Sequence, residues 1–268
     1  MENASVNRFG IFALFLICGL SIFAVPAFLV DPFRTMYLIA VAVVFLLTIL
    51  WASRVERLKD FRQILLAFLL ASVIFLVQLF WSTGTTVEEI VLNKLITAVI
   101  VIVPIILLVM GTTRDLGDLY LKRGNLRLGL IIGAVTLLIF ILTAIPVSLF
   151  LFGGQEITID RLLGLIPWIT VFVLLNGIKE ELLFRGLFLK KYESFMSPGK
   201  ANLLQAAVFS LAHLQPVLSD FVIIYLVLTF FLGLGFGGVM QDTDSLLGSV
   251  LFHAAADIPV ILAVFSVL

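Results

Sequence analysis

Leu162–Leu189 reads LLGLIPWITVFVLLNGIKEELLFRGLFL. Its first half is apolar enough for the hydrocarbon core of a bilayer, which a helix of about 20 such residues can cross. Its second half places Lys179, Glu180, Glu181 and Arg185 within about two turns of that same helix. A charged side chain at mid-bilayer costs about 2.5–3.5 kcal/mol even on the lenient insertion scale. The stretch is therefore a membrane helix carrying charges that need an explanation. Lysine and arginine stems can snorkel toward the interface, but glutamate reaches less far. Glu181 and Arg185 lie four apart, share a face and can pair, which is a structural role. Glu180 points about 100° away around the helix and meets Phe184 at i+4. Its charge has to be met by another helix, by water or by a proton.

The rest of the chain is in keeping with this helix. Of 268 residues, 62% are hydrophobic and only 13% charged, with a mean hydropathy of +1.23. A soluble domain carries about 25% charged residues, so the expected fold is all-α, a polytopic membrane helix bundle. Apolar runs at Phe9–Val30, Met36–Trp51, Ile64–Trp81, Leu95–Met110, Leu128–Phe152, Leu162–Leu189, Leu203–His213, Phe221–Met240 and Leu246–Val267 predict eight or nine spans. The run ending at His213 is short for a crossing. The first run exceeds the roughly 7–15 apolar residues of a signal peptide and reads as a retained helix, with cleavage near Ala24–Ala27 the lesser alternative.

Basic residues recur in alternate loops: Arg54, Arg57, Lys59 and Arg62; Arg114, Lys122, Arg123 and Arg127; Lys190, Lys191 and Lys200. By the positive-inside rule these loops and the N-terminus are cytoplasmic, and the expected location is a prokaryotic plasma membrane. The formal net charge is zero, which gives no electrostatic basis for nucleic-acid binding. The single cysteine, Cys18, can form no intrachain disulfide and reads as packing. Residues 1–127 hold spans without an assignable motif, and 128–268 hold a core with every motif discussed below. Gly233, Gly235, Gly237 and Gly238 crowd one span, and small residues at this spacing let helices approach closely.

Both histidines of the chain fall in late apolar runs. His213 ends Phe209-Ser210-Leu211-Ala212-His213, and His253 opens His253-Ala254-Ala255-Ala256-Asp257, with imidazole and carboxylate on one helix face. At 1.5 Å rise per residue, Glu180, His213 and His253 all fall roughly 12–20 Å from the cytoplasmic side, so they can form one site. Non-helical backbone at Leu214–Pro216 is tolerated if it borders a wet cavity. A glutamate and two histidines around water suit hydrolysis: the carboxylate takes a proton from water and a donor stabilises the oxyanion. There is no G-x-S-x-G motif and Cys18 is remote, so attack by activated water is simpler than an acyl-enzyme. Two histidines and a glutamate are also a catalytic zinc set. H-E-x-x-H is absent, and no cofactor is expected.

Glu180-Glu181-x-x-x-Arg185, Phe209-x-x-x-His213 and His253-x-x-x-Asp257 together resemble the three-motif signature of the CAAX protease and bacteriocin-processing (CPBP or Abi) family. These are intramembrane glutamate proteases of the Ras-converting-enzyme type. The resemblance runs from about Leu162 to Leu268. It implies that Glu180 is the general base, that His213 assists it, and that His253 and Asp257 stabilise the oxyanion. It further implies that Glu181 and Arg185 position the motif helix and that the substrate is a membrane-associated peptide or protein. Processors of CAAX peptides have asparagine where this chain has Asp257. An ionised aspartate cannot donate to an oxyanion, so Asp257 is either protonated or orients His253, and a prenylated substrate is disfavoured. Two other readings keep the same residues: a non-proteolytic Abi-type scaffold or regulator, and a proton-coupled transporter relaying charge through the carboxylates.

Overall fold

The computed structural model describes residues 8–81, 84–214 and 222–268, and among these no strand occurs. The helices are α1 (Arg8–Phe23), α2 (Phe33–Ala52), α3 (Arg62–Gln78), α4 (Val87–Thr112), α5 (Leu126–Phe152), α6 (Ile159–Glu181), α7 (Lys190–Glu193), α8 (Pro198–Ala212), α9 (Val222–Thr243) and α10 (Leu246–Ser266). Among the described residues, seven helical segments are long and apolar enough to cross a membrane, and Phe9–Phe23 is a shorter apolar helix. The polytopic helical bundle expected from the apolar runs is the architecture found.

Local chemistry explains where the helices start and stop. Thr86, Asn125, Thr158 and Ser245 each accept a backbone N–H in the first turn of α4, α5, α6 and α10. Glu89 reinforces the start of α4 by accepting from the Thr85 amide at 2.8 Å. That cap moves α4 eight residues ahead of the expected start at Leu95, and Lys94 comes to lie inside the helix. The first helix ends early instead. After Ala24 the chain tightens into a 3-10 turn, Val25–Phe28, with Pro26 in it, because proline offers no N–H to continue an α-helix. Met1–Asn7, Gln215, Pro216 and Phe221, on which parts of the sequence expectations fall, lie outside the described residues.

The chain divides into two compact units. One contains the described residues of Met1–Leu76 and Leu187–Leu234. Here α1 packs on α8, with Val208 filling the space over Gly19. Phenylalanines form the interior: Phe68 stacks on Phe45 at 5.4 Å, and Phe15 stacks on Tyr192 at 5.6 Å.

The other unit contains Val77–Gly186 and Gly235–Leu268. Its centre is α10, which packs on α5 and α6, while α4 packs on α6. In the apolar part of α10, 61% is buried, against 17% to 33% in the other six spanning segments. Close backbone approach makes this possible. A Cβ on Gly177 of α6 would stand 3.1 Å from the Val250 carbonyl and 3.4 Å from the Ala254 amide of α10. Gly129 of α5 and Gly248 of α10 meet backbone to backbone in the same way. Gly235 of α9 admits the ring of Phe252, as expected of a packing glycine. Immediately after Glu181 the α6 ladder widens into a π-helix, Leu182–Leu189, a geometry often found beside functional residues.

Candidate active site

Charged side chains and one histidine gather in the second unit. Lys179, Glu180, Glu181 and Arg185 come from α6 and its π-helical continuation, His253 and Asp257 from α10, and Lys94 from α4. The pairing expected between Glu181 and Arg185 is formed: Arg185 Nη1 donates to Glu181 Oε1 at 2.8 Å, with both side chains 0% exposed. Removing either partner would strand a buried charge. Arg185 also lies over the Phe236 ring, 5.2 Å from its centroid.

Glu181 has a second task that its spacing did not reveal. Its Oε1 lies 2.6 Å from Nδ1 of His253, and its Oε2 accepts from the Ser249 hydroxyl. A carboxylate there fixes the proton on Nδ1 and turns Nε2 the other way. The ring is clamped further by stacking on Phe236, centroids 4.6 Å apart and planes 11° from parallel. His253 is thus oriented by Glu181, and Asp257 meets it from the opposite side. Ser249 went unnoticed in the sequence because a small hydroxyl residue in an apolar helix carries no distinguishing pattern.

On the Nε2 side, two carboxylates converge. Glu180 Oε2 and Asp257 Oδ1 each stand 3.7 Å from Nε2 of His253. That separation is longer than a hydrogen bond and within ion-pair reach of a protonated imidazole. Glu180 and Asp257 retain 14% and 18% side-chain exposure, whereas Glu181 and Arg185 are sealed. Lys179 Nζ lies 3.3 Å from Glu180 Oε1 and offsets part of its charge. The partner that Glu180 needed from another helix is the α10 histidine.

Behind Asp257 runs a chain of polar groups. Asn176 Nδ2 donates to Asp257 Oδ2 at 2.8 Å, and Asn176 Oδ1 accepts from Lys94 Nζ at 2.9 Å. The Lys94 ammonium also sits over the Phe172 ring at 4.4 Å. Lys94 escaped the sequence reading because Glu88, Glu89 and Lys94 together resemble a polar loop.

His213 belongs to the first unit and caps the C-terminus of α8. Its Nδ1 lies 2.8 Å from the Phe209 carbonyl. A carbonyl only accepts, so Nδ1 carries the proton and Nε2 is the acceptor of the neutral ring. The Phe209 ring packs edge-on against it at 4.5 Å. The second motif thus consists of a residue that both holds and shields its histidine. Among the described residues, no group of three or more His, Cys, Asp or Glu side chains is set to hold a metal ion.

Residues 162–259 match the model of a protein family described as type II CAAX prenyl endopeptidase Rce1-like. That segment of the chain is Rce1-like. The Rce1-like segment includes Glu180, Glu181, Arg185, His213, His253 and Asp257, and Lys94 lies before it. Its long apolar helices, together with this similarity over one segment, mark the chain as a multi-pass membrane protein. No curated protein and no solved structure matches the chain.

Proposed function

We propose that this chain is an intramembrane endopeptidase that hydrolyses peptide bonds with a water activated by Glu180. The observation that carries this reading is the placement of Glu180 Oε2 3.7 Å from Nε2 of a histidine whose Nδ1 is fixed by a buried carboxylate. The Rce1-like match over the same residues supports it independently.

In this mechanism water enters between Glu180 and His253. Glu180 takes one proton as the oxygen attacks the scissile carbonyl carbon. The developing oxyanion is met by the Nε2–H of His253, whose positive charge is balanced by Glu181. As the C–N bond breaks, Glu180 returns the proton to the leaving amine. His213, by its place in the second motif, is assigned the part of assisting the base. Asp257 supports the charged form of His253 and is not itself an oxyanion donor. The substrate is a membrane-associated peptide or protein reaching the site from the cytoplasmic side, the side on which the basic loops lie. No metal is assigned a step.

Peptide profiling of membranes containing the wild-type protein or its Glu180→Ala variant tests the reading. Peptides released only by the wild type are expected. Retained proteolysis by purified Glu180→Ala overturns it, and cellular function that persists in that variant moves the assignment to a scaffold.

A further inference from the structure

The Lys94–Asn176–Asp257 chain lies partly outside the matched segment and has no place in the three motifs. Its hydrogen bonds have a direction. An ammonium only donates, so it selects the oxygen of the Asn176 amide at 2.9 Å. That leaves the amide nitrogen to donate to Asp257 Oδ2 at 2.8 Å, and an ionised carboxylate is the natural acceptor for it. Asn176 is 7% exposed, so water competes little for either bond. The charges around the site are Lys94, Lys179 and Arg185 against Glu180, Glu181 and Asp257. Removing the positive charge of Lys94 takes away a counter-charge linked to Asp257 through Asn176, in an apolar surrounding where the charged form is penalised.

We infer that Lys94 is a positioning residue for the active site: through Asn176 it holds Asp257 ionised, with its other oxygen turned toward Nε2 of His253. This inference rests on the proposed hydrolytic reading for its effect on rate, while the direction of the two hydrogen bonds follows from the geometry. Lys94 touches no reacting atom. Its influence is on whether His253 carries the positive charge that meets the oxyanion.

The test uses the full-length protein in lipid, as the wild type, Lys94→Met, Lys94→Gln, Asp257→Asn and the Lys94→Met/Asp257→Asn double variant. Lys94→Gln keeps a donor for Asn176 Oδ1 and loses only the charge. Infrared spectroscopy reads the charge state directly. A protonated-carboxyl band is expected in Lys94→Met and Lys94→Gln, absent from the wild type and absent again in the double variant. Kinetically, kcat is expected to fall about tenfold to a hundredfold in both single Lys94 variants, the range for groups that orient a functional side chain, with KM nearly unchanged. Asp257→Asn is expected to show a similar loss, and the double variant little further loss, because both changes remove the same charge; independent packing defects would add instead. Absence of the band in both Lys94 variants, or wild-type kcat in Lys94→Gln, overturns the inference. If the wild type cleaves nothing, the hydrolytic reading fails while the infrared result still decides the role of Lys94.

Discussion

Glu181 Oε1 is shared between Nδ1 of His253, 2.6 Å away, and Nη1 of Arg185, 2.8 Å away. One fully buried oxygen thereby ties the orientation of the imidazole to the integrity of an ion pair one helical turn further on. Arg185→Met leaves Glu181 without its main counter-charge. Stability should fall by about 3–5 kcal/mol, the usual result of deleting one partner of a buried pair. Unfolding in detergent measures this, and the double variant Glu181→Leu/Arg185→Met should lose less than the sum of the singles.

Glu180 is separable from that framework because its side chain retains some exposure, whereas Glu181 and Arg185 are sealed. Glu180→Gln keeps the shape and removes the base. Cleavage of a membrane-anchored reporter peptide should drop by about 100-fold or more, while the thermal midpoint stays at the wild-type value.

For His213 the expectation is similar in rate but carries a structural control. His213→Ala should reduce cleavage by about 100-fold. Phe209→Leu leaves the backbone carbonyl that accepts from Nδ1 in place and removes only the shielding ring. Its loss of rate should be the smaller of the two under the same assay.

The crossing of α6 and α10 offers a test of position rather than chemistry. Any side chain on Gly177 would have to displace the α10 backbone, since even a Cβ at this position comes within 3.1 Å of the Val250 carbonyl. Gly177→Leu should cost about 1–3 kcal/mol as an overpacked core, measured by unfolding in detergent. It should also abolish cleavage in the fraction that remains folded, because Glu180 and His253 sit on opposite sides of this crossing.

Topology is open to a labelling experiment, since replacing Cys18, the single cysteine, by serine gives a clean background. A cysteine introduced at Glu156 should react with an impermeant maleimide added outside intact cells. One at Arg57 or Lys122 should react only after the membrane is opened.

The sequence carried the helical architecture because apolar runs long enough to span a bilayer admit few alternatives. It also carried the ionisable groups in the runs that became α6 and α10, since charges in such runs are too costly to be incidental. What it withheld were relations across helices. Glu181 was legible as the i,i+4 partner of Arg185, but its bond to His253 depends on how α6 crosses α10 at Gly177. Lys94 was masked by the acidic first turn of α4, where a capping threonine turns an apparent loop into helix. The π-helix after Glu181 has no compositional mark at all, because Leu, Phe and Gly serve an α-helix and a π-helix alike.

The most buried of the seven spanning segments among the described residues, α10, also supplies His253 and Asp257. It is made after α6, so on the proposed reading Glu180 enters the bilayer before the helix that carries its imidazole. On the proposed reading, a ribosome-bound chain that does not yet include α10 holds the base but not the oxyanion donor. Synthesis of α10 then serves as a timer, and a nascent chain cannot hydrolyse its neighbours in the translocon by this route before that helix has been inserted.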